Sequence, residues 1–280
     1  MVTFVWVLGL ILVWELIATI VAQTKRTPEN VLPHIHQIIQ SVFNPKPVNG
    51  RQSALQLVLA NAGITLARAG IGFLLGAVVG FALALIMNLF KGAEKTIFPY
   101  LMIIQMIPIL GMAPIILAIT KDINKSRILI AAILTFYPVA TNTLAGFKAV
   151  SKDKHDLMYS LAAPKIEVYK KLLIPASMPY LFTGLKISAP MAITASILVD
   201  TLQGGGGLGT MLSQSLKHAM TIYVFWQIVF LSAIAGIFSY YLMTVLEKVI
   251  SPNKWGRKVK IESNFSIQSD FNEKEQIEIK

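Results

Sequence analysis

The chain has 280 residues, 55% of them hydrophobic and only 14% charged, with a mean hydropathy of +0.63. A water-soluble domain carries about 25% charged residues, so this balance excludes an ordinary soluble fold and points to long apolar runs crossing a bilayer between short charged clusters. The net charge of +11 does not point to nucleic acid, because Lys and Arg flank apolar runs and form no basic stripe with interleaved aromatics; the absence of cysteine excludes disulfides, thiolate catalysis and cysteine metal sites.

Six runs are long enough to cross a hydrocarbon core of ~30 Å at ~1.5 Å per residue: residues 2–22, 64–90, 96–119, 128–150, 176–202 and 222–249. The predicted class is therefore all-α, a polytopic membrane protein of about six spans. The first run lacks a basic leader and a small-residue cleavage site and carries Glu15 at its centre, so it reads as a retained span. Between it and the second run, Ile35, Ile38, Ile39 and Val42 recur at helical spacing, which suits either a helix resting on the outer membrane face or a plain loop helix. Pro99, Pro108, Gly111 and Pro114 interrupt the third run. Interrupted helices survive in a bilayer where neighbours re-satisfy the freed backbone groups, so this run is expected within the bundle.

More Lys and Arg fall in the segments after the second, fourth and sixth runs, from Lys91 and Lys95 through the lysines of 148–171 to those from Lys248 onward, than in the alternate set. The bias places both termini in the cytoplasm. Arg127 counts as an outer-loop charge in this reckoning, while Arg68 and Lys186 lie inside spans. After Ile250 the chain turns basic around Trp255, then polar and acidic from Glu262, a composition expected to give an interfacial stretch and a disordered end. The expected organisation is a first span with an extracytoplasmic segment over 1–60, a transport core over 61–250 and a tail over 251–280.

Residues 151–175 read SKDKHDLMYSLAAPKIEVYKKLLIP and are too polar to cross the bilayer. Leu157, Leu161, Ile166, Tyr169, Leu172 and Leu173 still recur at helical spacing, in two blocks broken at Ala162-Ala163-Pro164. Pro164 suits the first turn of a new helix and drives Ala163 out of the helical region, so a helix, a kink and a second helix are expected.

This pattern resembles the cytoplasmic loop of integral subunits of bacterial ABC importers, E-A-A-x3-G-x9-I-x-L-P, which docks into a cleft on the ATP-binding subunit. Asp156, Leu157 and Met158 stand at the E-A-A positions, Ala162 at the G, and Leu172, Ile174 and Pro175 at the I, L and P. The run 175–190, the Trp14-Glu15 pair and Gly207-Leu208-Gly209 are similar to the type I branch that imports nitrate, sulfonates, taurine and related compounds. The likeness covers about residues 60–248 and implies a type I importer permease fold in a bacterial cytoplasmic membrane. Asp for Glu keeps an anion near a helix start; Ala for Gly is costly if the turn needs a left-handed residue.

The resemblance implies a docking loop of Asp156, Leu157, Met158, Leu161, Ala162, Pro164, Glu167, Tyr169, Leu172, Ile174 and Pro175, with Leu157, Leu161 and Tyr169 as apolar anchors. Its implied partners are two ABC ATP-binding subunits, an extracytoplasmic solute-binding protein and a second copy of the chain. The sequence has no G-x4-G-K-[ST] run, so ATP is expected on the partner, with no cofactor and no catalytic residue here. Gly204 to Gly209 fit G-x-G-x-x-G formally, but between two spans they read as a tight turn, with Gly206, Gly207 and Gly209 a candidate outer gate. Intramembrane polar residues often line pathways, which singles out Lys186, Asp200 and Asn142 among Glu15, Arg68 and Gln105; a cation at Lys186 would favour an anionic solute, and a structural pairing of Lys186 is the other reading. His34, His36, His155 and His218 are scattered and read as ordinary surface residues, so no metal is expected. The rival reading is a stand-alone secondary transporter, a class in which paired broken helices and internal inverted repeats are frequent. Neither is visible in this sequence.

Overall fold

The computed structural model describes residues 2–25, 28, 31–44, 52–90, 92–109, 111–217 and 222–251. The expected tail features, Trp255 included, and His218 lie outside the described residues. Among the described residues ten helices follow in chain order: α1 Val2–Thr24, α2 Ile35–Val42, α3 Ala54–Leu89, α4 Ala93–Met106, α5 Ala113–Thr120, α6 Ile123–Lys148, α7 Lys152–Ser160, α8 Lys165–Gln203, α9 Leu208–Lys217 and α10 Ile222–Ile250. Among the described residues, α3, α6, α8 and α10 are long and apolar enough to cross a membrane, and α1 adds a shorter apolar stretch at Leu8–Thr24.

The third expected span is corrected: it is two short helices, not one. Ile107 is extended (φ −66°, ψ 133°), the conformation that a following proline favours, and α4 stops at Met106. Pro114 then sits in the first turn of α5, which ends with Lys121 left-handed at φ 52°. Nor is α4 enclosed by the rest of the chain. Tyr100, Met102, Ile103 and Met106 are exposed, and only Leu101 is buried.

Contacts divide the chain into two units, and α3, α6, α8 and α10 each contribute residues to both. The first unit comprises Met1–Leu74, Pro108–Leu134 and Pro190–Ile237. Its core packs Val58, Ala62 and Ala69 of α3 against Ile193 and Ile197 of α8, Leu208 and Met211 of α9 and Ile228 of α10. Trp14 of α1 meets Trp226 of α10 edge-on at 4.8 Å between ring centroids. The helical spacing over 35–42 becomes α2, which buries Ile38 and whose Ser41 Oγ accepts from Gln227 Nε2 of α10 at 2.8 Å. An apolar cavity of about 390 Å³ separates α2 from α3 and α10.

The second unit comprises Leu75–Ile107, Thr135–Ala189 and Phe238–Lys280. Here small residues set the helix spacing: a Cβ at Gly184 of α8 would lie 2.8 Å from the Pro138 carbonyl oxygen of α6. Close approach of this kind replaces the hydrophobic driving force that lipid removes. Phe147 of α6 packs between Phe81 of α3 and Tyr169 of α8, with centroids 6.5 and 6.3 Å away.

Candidate functional site

The polar segment after α6 folds as a helix and a turn. Ser151, extended at φ −62° and ψ 149°, precedes α7. The helix ends on a left-handed residue: Ala162 has φ 49°, its N–H donates to the Tyr159 carbonyl at 2.9 Å, and the Ala163 N–H donates to the Met158 carbonyl at 3.1 Å. These two crossed bonds make a Schellman end, the ending that favours glycine. The turn therefore does require the left-handed conformation, and Ala162 adopts it against the Cβ clash that costs about 1–2 kcal/mol.

Pro164 is extended and caps the next helix one position earlier than the first-turn place expected from the sequence; its carbonyl accepts from the Glu167 N–H at 2.9 Å. That next helix has no break before the membrane. α8 runs from Lys165 to Gln203, so the turn closes at Pro164 and residues 165–175 form the first part of the same helix that carries the span. Pro175 has no N–H for the Lys171 carbonyl, and the backbone answers with a π-turn over Val168–Leu173 in which Ile174 N–H reaches the Tyr169 carbonyl. Glu167 and Lys171 pair across one turn at 2.8 Å.

The expected docking residues separate into two sets. Leu157, Leu161 and Ile166 are 58, 67 and 60% exposed, Asp156 is exposed, and Met158 is half-buried. Tyr159, not singled out from the sequence, is 88% exposed. Tyr169 is corrected as an apolar anchor: its hydroxyl accepts from Asn88 Nδ2 at 2.9 Å and its ring faces Phe147. Leu172 is buried, and Ile174 and Pro175 are half-buried at the root of α8. The continuous helix explains this, since residues past Pro164 turn with α8 and not with α7.

The first unit holds a second constellation, built around Asp200 near the end of α8. Asp200 and Arg127 are both fully buried, with Arg127 Nε 2.8 Å from Asp200 Oδ1. Thr65 Oγ1 donates to Asp200 Oδ2 at 2.7 Å and accepts from the Leu208 N–H at 2.9 Å. Arg68 stands 3.5 Å from Asp200 Oδ1 and donates to the Gly206 carbonyl, Arg127 donates to the Gly204 carbonyl, and the Gly207 N–H donates to Asn61 Oδ1 at 2.9 Å. Gln203 Nε2 donates to the Ala113 carbonyl and to Ser126 Oγ. Two guanidiniums thus face one carboxylate, and backbone carbonyls of the glycine turn take up guanidinium donors. Gly204 to Gly207 all have positive φ, from 68° to 101°. A Cβ at Gly209 would lie 1.8 Å from the Ile197 carbonyl oxygen. Of the glycines read from sequence as a candidate gate, Gly206 and Gly207 therefore sit in a turn clamped by Asn61, Arg68 and Arg127, and Gly209 lies in the first turn of α9 against Ile197.

Arg127 was missed by sequence reasoning. Counted as a loop charge, it lies inside α6 and is 0% exposed; the signal that could have found it was the short spacing from Asp122, whose carboxylate starts that helix by accepting the Asn124 and Lys125 N–H groups. Lys186 and Asn142 belong to the second unit. Lys186 pairs with Glu247 of α10, the structural pairing that was its other reading, and Asn142 Nδ2 donates to the Pro138 carbonyl of its own helix at 2.8 Å. Asp200 and Lys186 are thus both engaged by counter-charges.

The histidines are not all ordinary surface residues. His34 Nδ1 lies 2.6 Å from Glu15 Oε2, and Glu15 Oε1 accepts the Ile35 N–H at 2.9 Å. His155 is exposed on α7.

Residues 72–252 match the family described as the binding-protein-dependent transport system inner membrane component. The chain is 27% identical over 251 residues to the formylaminopyrimidine transport permease protein ThiX of Halalkalibacterium halodurans, covering 90% of this chain and 94% of the relative. It is 25% identical over 243 residues to the nitrate import permease protein NrtB of Synechocystis sp., covering 87% and 86%. Among solved structures, a chain of the MetNI methionine ABC transporter superposes with a TM-score of 0.59 at 17% identity, covering 70% of this chain and 95% of that one.

Proposed function

We infer that this chain, which belongs to the family of binding-protein-dependent transport inner membrane components, works as the permease subunit of an ABC importer by docking its ATPase on α7 and the turn at Ala162. The observation that carries this is the exposed apolar set of Leu157, Tyr159 and Leu161 on a short helix closed by a Schellman turn, with exposed Ile166 just beyond that turn at the start of α8. An apolar helix face held out on a polar segment has the form of a helix-in-groove ligand. The family match favours this reading over a stand-alone secondary transporter.

Both termini and the α7 turn are cytoplasmic in this proposal, following the excess of basic residues in those segments. The chain pairs with a second copy, since one chain supplies half of a symmetric path; the exposed α4 face of Tyr100, Ile103 and Met106 is an apolar surface suited to such pairing. Two ATP-binding subunits hydrolyse ATP, and closure around it pulls on the loops and rocks the spans. The chain itself is non-catalytic, and an extracytoplasmic binding protein delivers the solute. The solute is small and polar or anionic, of the nitrate, sulfonate or taurine kind, as the nitrate relative's name suggests; the formylaminopyrimidine relative makes a neutral heterocycle the competing class. The test is co-purification of the ATP-binding subunit with wild type and with Asp156→Ala and Leu161→Ala, followed by uptake into proteoliposomes of nitrate, taurine and a formylaminopyrimidine. Retained association and transport in both variants would sink the docking role.

A further inference from the structure

α1 and α2 meet through a cluster that the importer reading does not use. Trp14 Nε1 donates to the Pro33 carbonyl at 3.1 Å, and the next residue, Glu15, receives the Ile35 N–H at 2.9 Å, so two adjacent side chains of α1 fix the backbone on both sides of His34. The His34 N–H donates to Gln37 Oε1 at 3.0 Å, which closes the first turn of α2. His34 is the extended N-cap of α2 at φ −66° and ψ 148°, and His36 stands in the first turn that follows. The His36 ring stacks on that of His34, with centroids 5.4 Å apart and planes at 29°. One ligand atom from each of Glu15, His34 and His36 lies within 4.8 Å of the others. Glu15 and His34 are part-exposed and His36 is exposed, so the cluster lies at the surface of this unit.

We propose that Glu15, His34 and His36 form a binding site for a divalent first-row transition metal of the zinc class, which fastens α2 to α1. Two imidazoles and one carboxylate form a donor set that zinc accepts, with a fourth position left for water. Nitrogen and oxygen ligands at about 2.0–2.2 Å from the ion stand roughly 3.3 Å apart in a tetrahedron, and the three groups need only small side-chain rotations to reach that spacing. The carboxylate is already oriented by the Ile35 N–H, the kind of outer contact that fixes a ligand's direction. Metal binding takes the place of the hydrogen between His34 Nδ1 and Glu15 Oε2. That proton moves to Nε2 of the ring or, if the ring was protonated, leaves to solvent, so binding weakens as pH falls. Soft sites with thiolate do not exist in this chain, which has no cysteine, and magnesium or calcium prefer all-oxygen cages.

The test is zinc binding to the full-length chain in detergent after chelator treatment, by equilibrium dialysis, with cobalt absorption as a second readout. Wild type is expected to take one equivalent at the site and to give the visible spectrum of nitrogen-ligated cobalt. His36→Gln removes an exposed ring and is expected to weaken binding by at least about tenfold with unchanged thermal unfolding of the metal-free chain. His155→Gln combined with His218→Gln should bind like wild type. Absence of saturable zinc binding by wild type, equal affinity in His36→Gln, or loss in the His155/His218 variant would each overturn the proposal.

Discussion

The clamp around Asp200 and the turn after α7 handle polar and apolar groups in opposite ways. In the first unit a carboxylate and a guanidinium are fully buried, and the surrounding hydroxyl, amide and glycine carbonyl groups are spent on them. In the second unit a segment between two spans leaves Leu157, Tyr159 and Leu161 with more than half of each exposed. A buried ion pair is weak evidence of extra stability but is strongly destabilising to break, so the clamp holds one geometry. Exposed apolar side chains on a short helix gain nothing until a partner covers them, which is the role proposed for the turn.

The largest effect should come from breaking the clamp. Arg127→Ala leaves Asp200 buried beside Arg68 alone, at an expected loss of about 3–5 kcal/mol, read as a large drop in thermal unfolding temperature in detergent. The double change Arg127→Met with Asp200→Leu should recover much of that loss, because it removes both charges at similar volume. Next is Gly209→Ala. Its Cβ has the Ile197 carbonyl oxygen in its place, and forced backbone movement in a packed site costs about 1–3 kcal/mol, so the variant should unfold earlier while the ATPase still associates. Leu157→Ala with Leu161→Ala should do the reverse: unfolding within about 0.5 kcal/mol of wild type, as for surface changes, with loss of ATPase association in pull-down. Swapped outcomes, in which the loop variant unfolds and the clamp variant only uncouples, would invert the assignment of the two regions.

Two smaller effects sharpen the comparison. Ala162→Gly relieves the positive φ in the Schellman turn and should stabilise α7 by about 1 kcal/mol, measurable as slower amide exchange over Lys152–Leu161. Asp122 starts α6 five residues before Arg127, and the Lys125 N–H, helped by that of Asn124, holds its carboxyl below the ordinary aspartate range against the opposing effect of desolvation. A lowered value means that the cap's contribution is complete above the usual aspartate range and is lost as pH falls through the lower folded value. Acid titration of unfolding should therefore show a small pH-dependent loss in that window in wild type, absent in Asp122→Asn.

Much of the loop was legible in the sequence and little of the clamp was. The spacing from Asp156 to Pro175, the break at Ala162-Pro164 and the apolar period before it are local properties, and a helix ending is written within a few residues. The sequence separates a second loop helix from the span that starts at 176, whereas a π-turn lets one helix run through Pro175, and Tyr169 on it meets Asn88. The third apolar run misled in the other direction. Its composition permits a span, yet Pro108 and Pro114 divide it into α4 and α5.

Hydropathy and charge distribution by themselves determined that this chain spans a membrane as a set of helices with a polar, helix-forming segment over 151–175, because burial in lipid acts on each run independently and leaves its mark in consecutive residues. Only the tertiary structure decided that Arg127 is an interior group and that Asp200 answers it across 73 residues of chain, that Lys186 faces Glu247, and that Glu15 meets His34. The physical reason is that a charge inside a membrane protein is tolerated through its partner, and a partner contributed by another helix leaves no periodic trace in the sequence of either one.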